Sequence, residues 1–160
     1  MSVPLPPDPD RPWIARSPWS RPLAVAASAT ADLARWIAAG YPHETCGLLV
    51  GREGARATEV VRADRAKNLN AERARDRFDL DPADFLAIET AAERDGLEVV
   101  GVWHSHPDCA PRPSITDHQR AFDGYSYLIA RVGPRGVEET RSWRRADDSF
   151  HEQPIEELDR

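Results

Sequence analysis

Cysteine is scarce in this chain, two residues in 160, too few for the disulfide framework on which small secreted domains rely. Long apolar runs are missing as well, none approaching the ~20 residues of a membrane-spanning helix. The opening stretch MSVPLPPDPDRPW lacks the basic start and apolar centre of an export signal. These absences lead us to expect a reduced, cytoplasmic protein with no membrane partner. Basic charge is in deficit, 21 Lys and Arg against 27 Asp and Glu for a net charge of −6. That deficit argues against nucleic acid as a partner too. The acidic residues form no long block of one sign and read as a solvated surface. No internal repeat is visible.

What is present suffices for one domain with its own core, since 41% of the residues are hydrophobic. Seven of the 14 prolines fall in residues 1–22, together with Trp13 and Trp19. Proline fixes φ and removes a donor, so this stretch reads as an extended arm ahead of a domain at 23–160. Two alternatives stay open for the arm. It is a solvated tail, or it lies across the domain or a second copy of the chain, because free tails are poor in aromatics. Contact with a second copy would make the protein a homodimer.

Leu33, Trp36 and Ile37 at helical spacing, with a Ser or Thr start and a Gly40 stop, predict a helix over 28–40. CGLLVG (46–51) and ATEVVRA (57–63) read as strands joined by a Gly-containing turn. DRAKNLNAERARDRFDL (64–80) is charged, lacks an apolar stripe and reads as a long exposed connection. The next helix has Asp81 as its cap, Pro82 at its first position and Phe85, Ile88 and Ala92 as its face, with Gly96 as its stop. LEVVGVW (97–103) is a continuous apolar run, as expected of a central strand buried on both faces. A short helix from about Ser114 to Phe122 follows, then strands at YSYLIARV (125–132) and VEETRSWR (137–144). The final SFHEQPIEEL reads as further strand or edge pieces. Helices and strands mix without strict alternation, which predicts an α+β fold: a central mixed β-sheet flanked by helices.

VWHSHPDCAPRPSITDHQ (102–119) holds three of the five histidines. Two apart on an extended segment, His104 and His106 point to the same side of the chain. Two imidazoles there can ligate one divalent metal, and Asp117, three residues into the following helix, can return a carboxylate as third ligand. SITD (114–117) is equally a capping box, with Ser114 as N-cap and Asp117 at the third helical position. That role competes for the oxygens of Asp117. A bare HxH also suits two hydrogen-bonded residues at a strand end. The residues alone leave both readings open.

His104-Ser105-His106-Pro107, six residues, Ser114, two residues and Asp117, with Glu44 upstream in PHETCGLLVG, resembles the JAMM (MPN-plus) metallopeptidases. The likeness runs from about residue 24 to 145. Asn68 and RFDLDP (77–82) resemble the intervening part of the smaller bacterial and archaeal members. The resemblance implies the JAMM/MPN fold, a cytidine-deaminase-like architecture, over residues 23–160. It implies that His104, His106 and Asp117 bind Zn²⁺, with water in the fourth position. Glu44 would serve as general base and then acid, and the Ser114 hydroxyl would stabilise the tetrahedral oxyanion.

Around these, Ser105 should point away from the metal and Pro107 should stiffen the exit from the strand. His43 and His118 read as flanking residues, Cys46 as core and Cys109 as an ordinary loop position. The implied reaction is hydrolysis of a peptide or isopeptide bond after the C-terminal Gly-Gly of a ubiquitin-like protein, the small stand-alone members being associated with sulfur carriers. An extended glycine tail could add to an exposed strand edge near residues 57–63. Three alternatives compete. A catalytically inactive MPN-type binding or scaffold module is disfavoured because all five motif residues are present. A bacterial group sharing HxHP…D and named for DNA repair is disfavoured by the net charge and by Glu44. A zinc hydrolase of cell-wall peptides is disfavoured by the missing export signal.

Overall fold

The run LEVVGVW forms a central strand, and the strand continues through both histidines. The computed structural model describes residues 9–75 and 77–159; residues 1–8 of the arm and Asp76 of the charged connection lie outside them. The described elements are β1 Leu23–Val25, α1 Ala27–Gly40, β2 Cys46–Glu53, β3 Thr58–Ala66, α2 Pro82–Arg94, β4 Glu98–Pro107, α3 Ile115–Arg120, β5 Ser126–Gly133, β6 Gly136–Ala146, β7 Ser149–Gln153 and β8 Ile155–Glu157. The strands form one sheet in the order β7-β6-β5-β4-β2-β3-β1-β8. Pairs β1–β3, β1–β8 and β4–β5 are parallel and the other pairs antiparallel. The fold is α+β around a mixed sheet.

Past its first residue, β4 is buried along its whole length. Side chains alternate across a strand, and that alternation builds two layers. Leu49, Trp103, Leu128 and Ala130 pack with Leu33 and Ile37 of α1 on one face. Leu48, Val102, Ile129 and Trp143 pack with Phe85 and Ile88 of α2 on the other. Gly47 allows Trp103 its place: a Cβ there would lie 2.0 Å from the Asp64 carbonyl and 2.5 Å from the indole nitrogen. The indole N–H donates to that carbonyl at 3.0 Å. His104 and His106 share the parity of Val102, so both face the α2 layer. The second helix starts as expected, with the Asp81 side chain accepting from Ala83 N at 2.9 Å and Pro82 in the first turn. No described helix is long and apolar enough to cross a membrane.

Two features depart from the sequence reading, and a third decides between alternatives it left open for the described part of the arm. Leu23–Val25 form a short strand that pairs with Thr58–Val60 of β3. The strand edge proposed to receive a substrate tail is therefore already taken at 58–60 by the chain's own β1. The charged connection after β3 is folded down onto the α2 layer, where Phe78 and Leu80 pack against the core. Residues 9–22 lie across the domain. Ala15 and Trp19 donate their backbone N–H groups to Phe150 and Glu152 of β7, at 2.8 Å each, and Trp19 meets His151 edge-on.

Candidate active site

Strand parity sets His104 and His106 side by side, and α3 brings Asp117 back to them. The two Nε2 atoms are 3.1 Å apart. Asp117 Oδ1 lies 3.3 Å from His104 Nε2 and Oδ2 lies 3.4 Å from His106 Nε2. The three donor atoms fall within 4.8 Å of one another, and the Asp117 side chain is only 7% exposed.

Local folding holds each of them. Ser114 Oγ accepts from Asp117 N at 3.1 Å, and Asp117 Oδ2 accepts from Ser114 N at 2.8 Å. Cap and histidine contact, which the sequence set as rivals for the Asp117 oxygens, are here one arrangement. The cap fixes the carboxylate while Oδ1 stays directed at His104. His106 Nδ1 pairs with the Ala110 carbonyl at 2.8 Å; a carbonyl only accepts, so Nδ1 carries the proton and Nε2 offers its lone pair to the cluster. His104 is oriented differently. Its Nδ1 is buried without a hydrogen-bond partner among the described residues, and the Phe78 ring stacks on the imidazole at 4.6 Å.

Burial pulls His104 below its ordinary pKa, and the charge of Asp117 offsets this only in part. Burial acts on His106 in the same sense, but hydrogen bonding to Asp117 and its charge outweigh it and hold His106 above its usual value. Burial also works to raise Asp117, yet the two imidazoles hold its carboxyl well below the usual range. Asp117 is thus an anion at neutral pH. Two imidazole nitrogens facing each other at 3.1 Å beside a buried anion repel unless a proton or a cation lies between them. A set of two nitrogens and one carboxylate oxygen suits Zn²⁺ with one position left for water, and the residues fit the group.

Glu44 stands opposite. Register pairs Cys46 with His104, and Thr45 O accepts from Ser105 N at 3.0 Å; Glu44 therefore lies across from His106. It is 7% exposed, which disposes of a solvent-facing strand-edge glutamate. With His106, Ser114 and Asp117 it lines a cavity of about 160 Å³. Ser105 turns away from the cluster, its hydroxyl accepting from Thr45 N at 2.9 Å. Burial first, then nearby carboxylates, pushes the Cys46 thiol up to about 12, consistent with an inert core position. His43 is exposed. His118 stacks on Trp13 and accepts from Arg145 at 3.0 Å. Pro107 ends β4, and exposed Cys109 lines the cavity.

The sequence reading missed how the connection after β3 serves the site. Asn68 Nδ2 donates to both Glu44 O and Arg77 O at 3.1 Å, and its Oδ1 accepts from Asn70 N at 3.0 Å and Asp79 N at 2.9 Å. Glu44 N donates to Ala74 O. One amide thereby clasps the loop to the backbone of Glu44. Trp13 and Arg11 of the arm donate to the Pro113 carbonyl at 2.8 and 3.0 Å, bracing the residue before Ser114. The sequence signal for this clasp was the resemblance of Asn68 and RFDLDP (77–82) to the smaller family members, in a charged stretch that ends in Phe78 and Leu80. Asn68→Ala is expected to keep its metal while turnover drops on the order of 10²-fold, the scale of a ~1 Å misplacement. Metal content and kcat measured on the same preparation check this. Loss of metal would mean that the loop holds the histidines and not Glu44.

A family model described as prokaryotic homologs of the JAB domain matches residues 26–146. Desampylase of Haloferax volcanii is 40% identical over 135 residues, 81% of this chain and 92% of that protein. The CysO-cysteine peptidase of Mycobacterium tuberculosis is 32% identical over 117 residues, 72% of this chain and 77% of that protein. A solution structure of a Desulfitobacterium hafniense protein matches with a TM-score of 0.75 at 27% identity, over 86% of this chain and 94% of that one.

Proposed function

The chain belongs to the prokaryotic homologs of the JAB domain and is a JAMM-type hydrolase, and from that premise we propose that it cuts the bond after a C-terminal Gly-Gly of a ubiquitin-like or sulfur-carrier protein. The observation that carries this reading is the cluster of His104, His106 and Asp117, beside a cavity that buried Glu44 and Ser114 line together with His106 and Asp117. Zn²⁺ held by His104, His106 and Asp117 would supply Lewis acidity and a water able to ionise near pH 7, with a pKa of about 7.

Glu44 takes the water's proton and returns it to the leaving nitrogen. Its backbone, gripped by Ala74 and Asn68, keeps the carboxylate from drifting between the two transfers. Ser114 Oγ already accepts from Asp117 N, so its own proton is available to the carbonyl oxygen as that atom becomes anionic. Glycines ahead of the cut suit a narrow cleft because they carry no side chain. The names of the two relatives, desampylase and CysO-cysteine peptidase, support a carrier-protein substrate. We place the reaction in the cytoplasm, where two free thiols, Cys46 and Cys109, are stable.

The test is mass spectrometry of a ubiquitin-like carrier extended beyond Gly-Gly and incubated with the purified protein. Release of the extension, its loss on chelation and its return with zinc are expected. Zinc-loaded protein that binds the carrier and releases nothing would refute the hydrolytic reading.

A further inference from the structure

We propose that Arg75 and Arg77 form a carboxylate-binding subsite for the free C-terminal carboxylate of the residue being released. This rests on the hydrolytic reading and deepens it. The substrate class is then a carrier extended by one amino acid through an ordinary peptide bond, in preference to a carrier joined to a lysine side chain.

The first observation is charge. The chain carries net −6, yet Arg11, Arg75, Arg77 and Arg112 all line the cavity that holds Glu44 and His106. Arg62 pairs with Asp64 and Asp95, and Arg141 with Glu139 and Glu152. Among the described residues, no carboxylate lies within ion-pair distance of Arg75 or Arg77. A guanidinium presents a planar fork that takes a carboxylate through two parallel hydrogen bonds.

The second observation is position. Glu44 must stand beside the leaving nitrogen to hand it a proton. The segment carrying the two arginines is tied to Glu44 directly, through Ala74 O and through the Asn68 amide that bridges Glu44 O and Arg77 O. Arg75 and Arg77 therefore flank the leaving residue and not the carrier's tail. A lone residue after the cut places its carboxylate about one Cα step, ~3.8 Å, beyond the scissile peptide. The cavity, about 160 Å³, is smaller than the roughly 300–1,000 Å³ of sites that take drug-sized ligands, and suits a small leaving residue. A lysine conjugate brings no carboxylate to that place.

The experiment compares two peptides ending Gly-Gly-Ala, one a free acid and one a carboxamide; alanine avoids a thiol that would itself ligate zinc. A third peptide is amidated and carries Glu ahead of Gly-Gly. Zinc-loaded wild type is assayed for kcat/KM, and zinc-loaded Glu44→Gln is titrated calorimetrically for Kd. The acid is expected to win over the amide by roughly tenfold or more in both measurements, as for a charge-assisted pair. The ratio should fall toward one in Arg77→Gln and recover in part in Arg77→Lys. Equal binding of acid and amide overturns the subsite whatever the turnover does. A preference for the Glu-bearing amide that Arg77→Gln removes would move the arginines to the carrier side and overturn the assignment to the leaving residue. If wild type cuts neither peptide while the acid still binds better, the hydrolytic reading fails and the subsite stands.

Discussion

Glu44→Gln is expected to retain its full metal complement and to hydrolyse substrate roughly 10²–10⁴-fold more slowly, the range lost with a positioned general base. The amide has the shape of the carboxylate, so the cavity is not opened. The backbone of Glu44 is held by Ala74 O and Asn68 Nδ2, and neither bond depends on the side chain. The proposed ligands come from β4 and α3, and no bond of their support passes through Glu44: the cap uses Ser114, and His106 uses Ala110. An amide cannot take the water's proton at neutral pH, so only the chemistry should suffer. Metal analysis and kcat on one preparation decide it. Wild-type turnover would remove Glu44 as the base, and loss of metal would make it a ligand.

Much of this site was legible because its parts are local in sequence. Two histidines at period two on a strand, a capping box four residues long and a buried apolar run are all short-range patterns. They placed His104, His106, Ser114 and Asp117 together. The pairing of Cys46 with His104 that brings Glu44 opposite is long-range, and only the family resemblance pointed to it. The three residues of β1 are too few for any periodicity to show, and their pairing with β3 takes residues 58–60 of the edge expected to receive a substrate tail. The connection after β3 misled for another reason. Its order comes from one side-chain amide bonded to four backbone groups, and composition reports polarity without reporting where polar groups bond. The arm was likewise open until its backbone was seen bonding to β7.

The second large effect belongs to Asp117, and its two roles can be pulled apart. Asp117→Ala removes the carboxylate that faces both imidazoles and also the acceptor of the Ser114 N–H. Metal affinity should fall by more than the roughly 10–100-fold that accompanies loss of a partner outside the ligand set, so dialysed protein should be nearly metal-free. The lost half of the capping box should cost a further 0.5–2 kcal/mol or so of stability, as capping residues typically do. Asp117→Asn separates the two. Its amide oxygen can still accept from Ser114 N, so the start of α3 should survive, but it carries no charge to balance a divalent ion between two buried imidazoles. The expected outcome is metal loss in both variants, with the drop in thermal midpoint, measured against metal-stripped wild type, larger for Ala than for Asn. Stoichiometric metal in dialysed Asp117→Asn would show that Asp117 serves α3 as a cap and that the third ligand lies elsewhere.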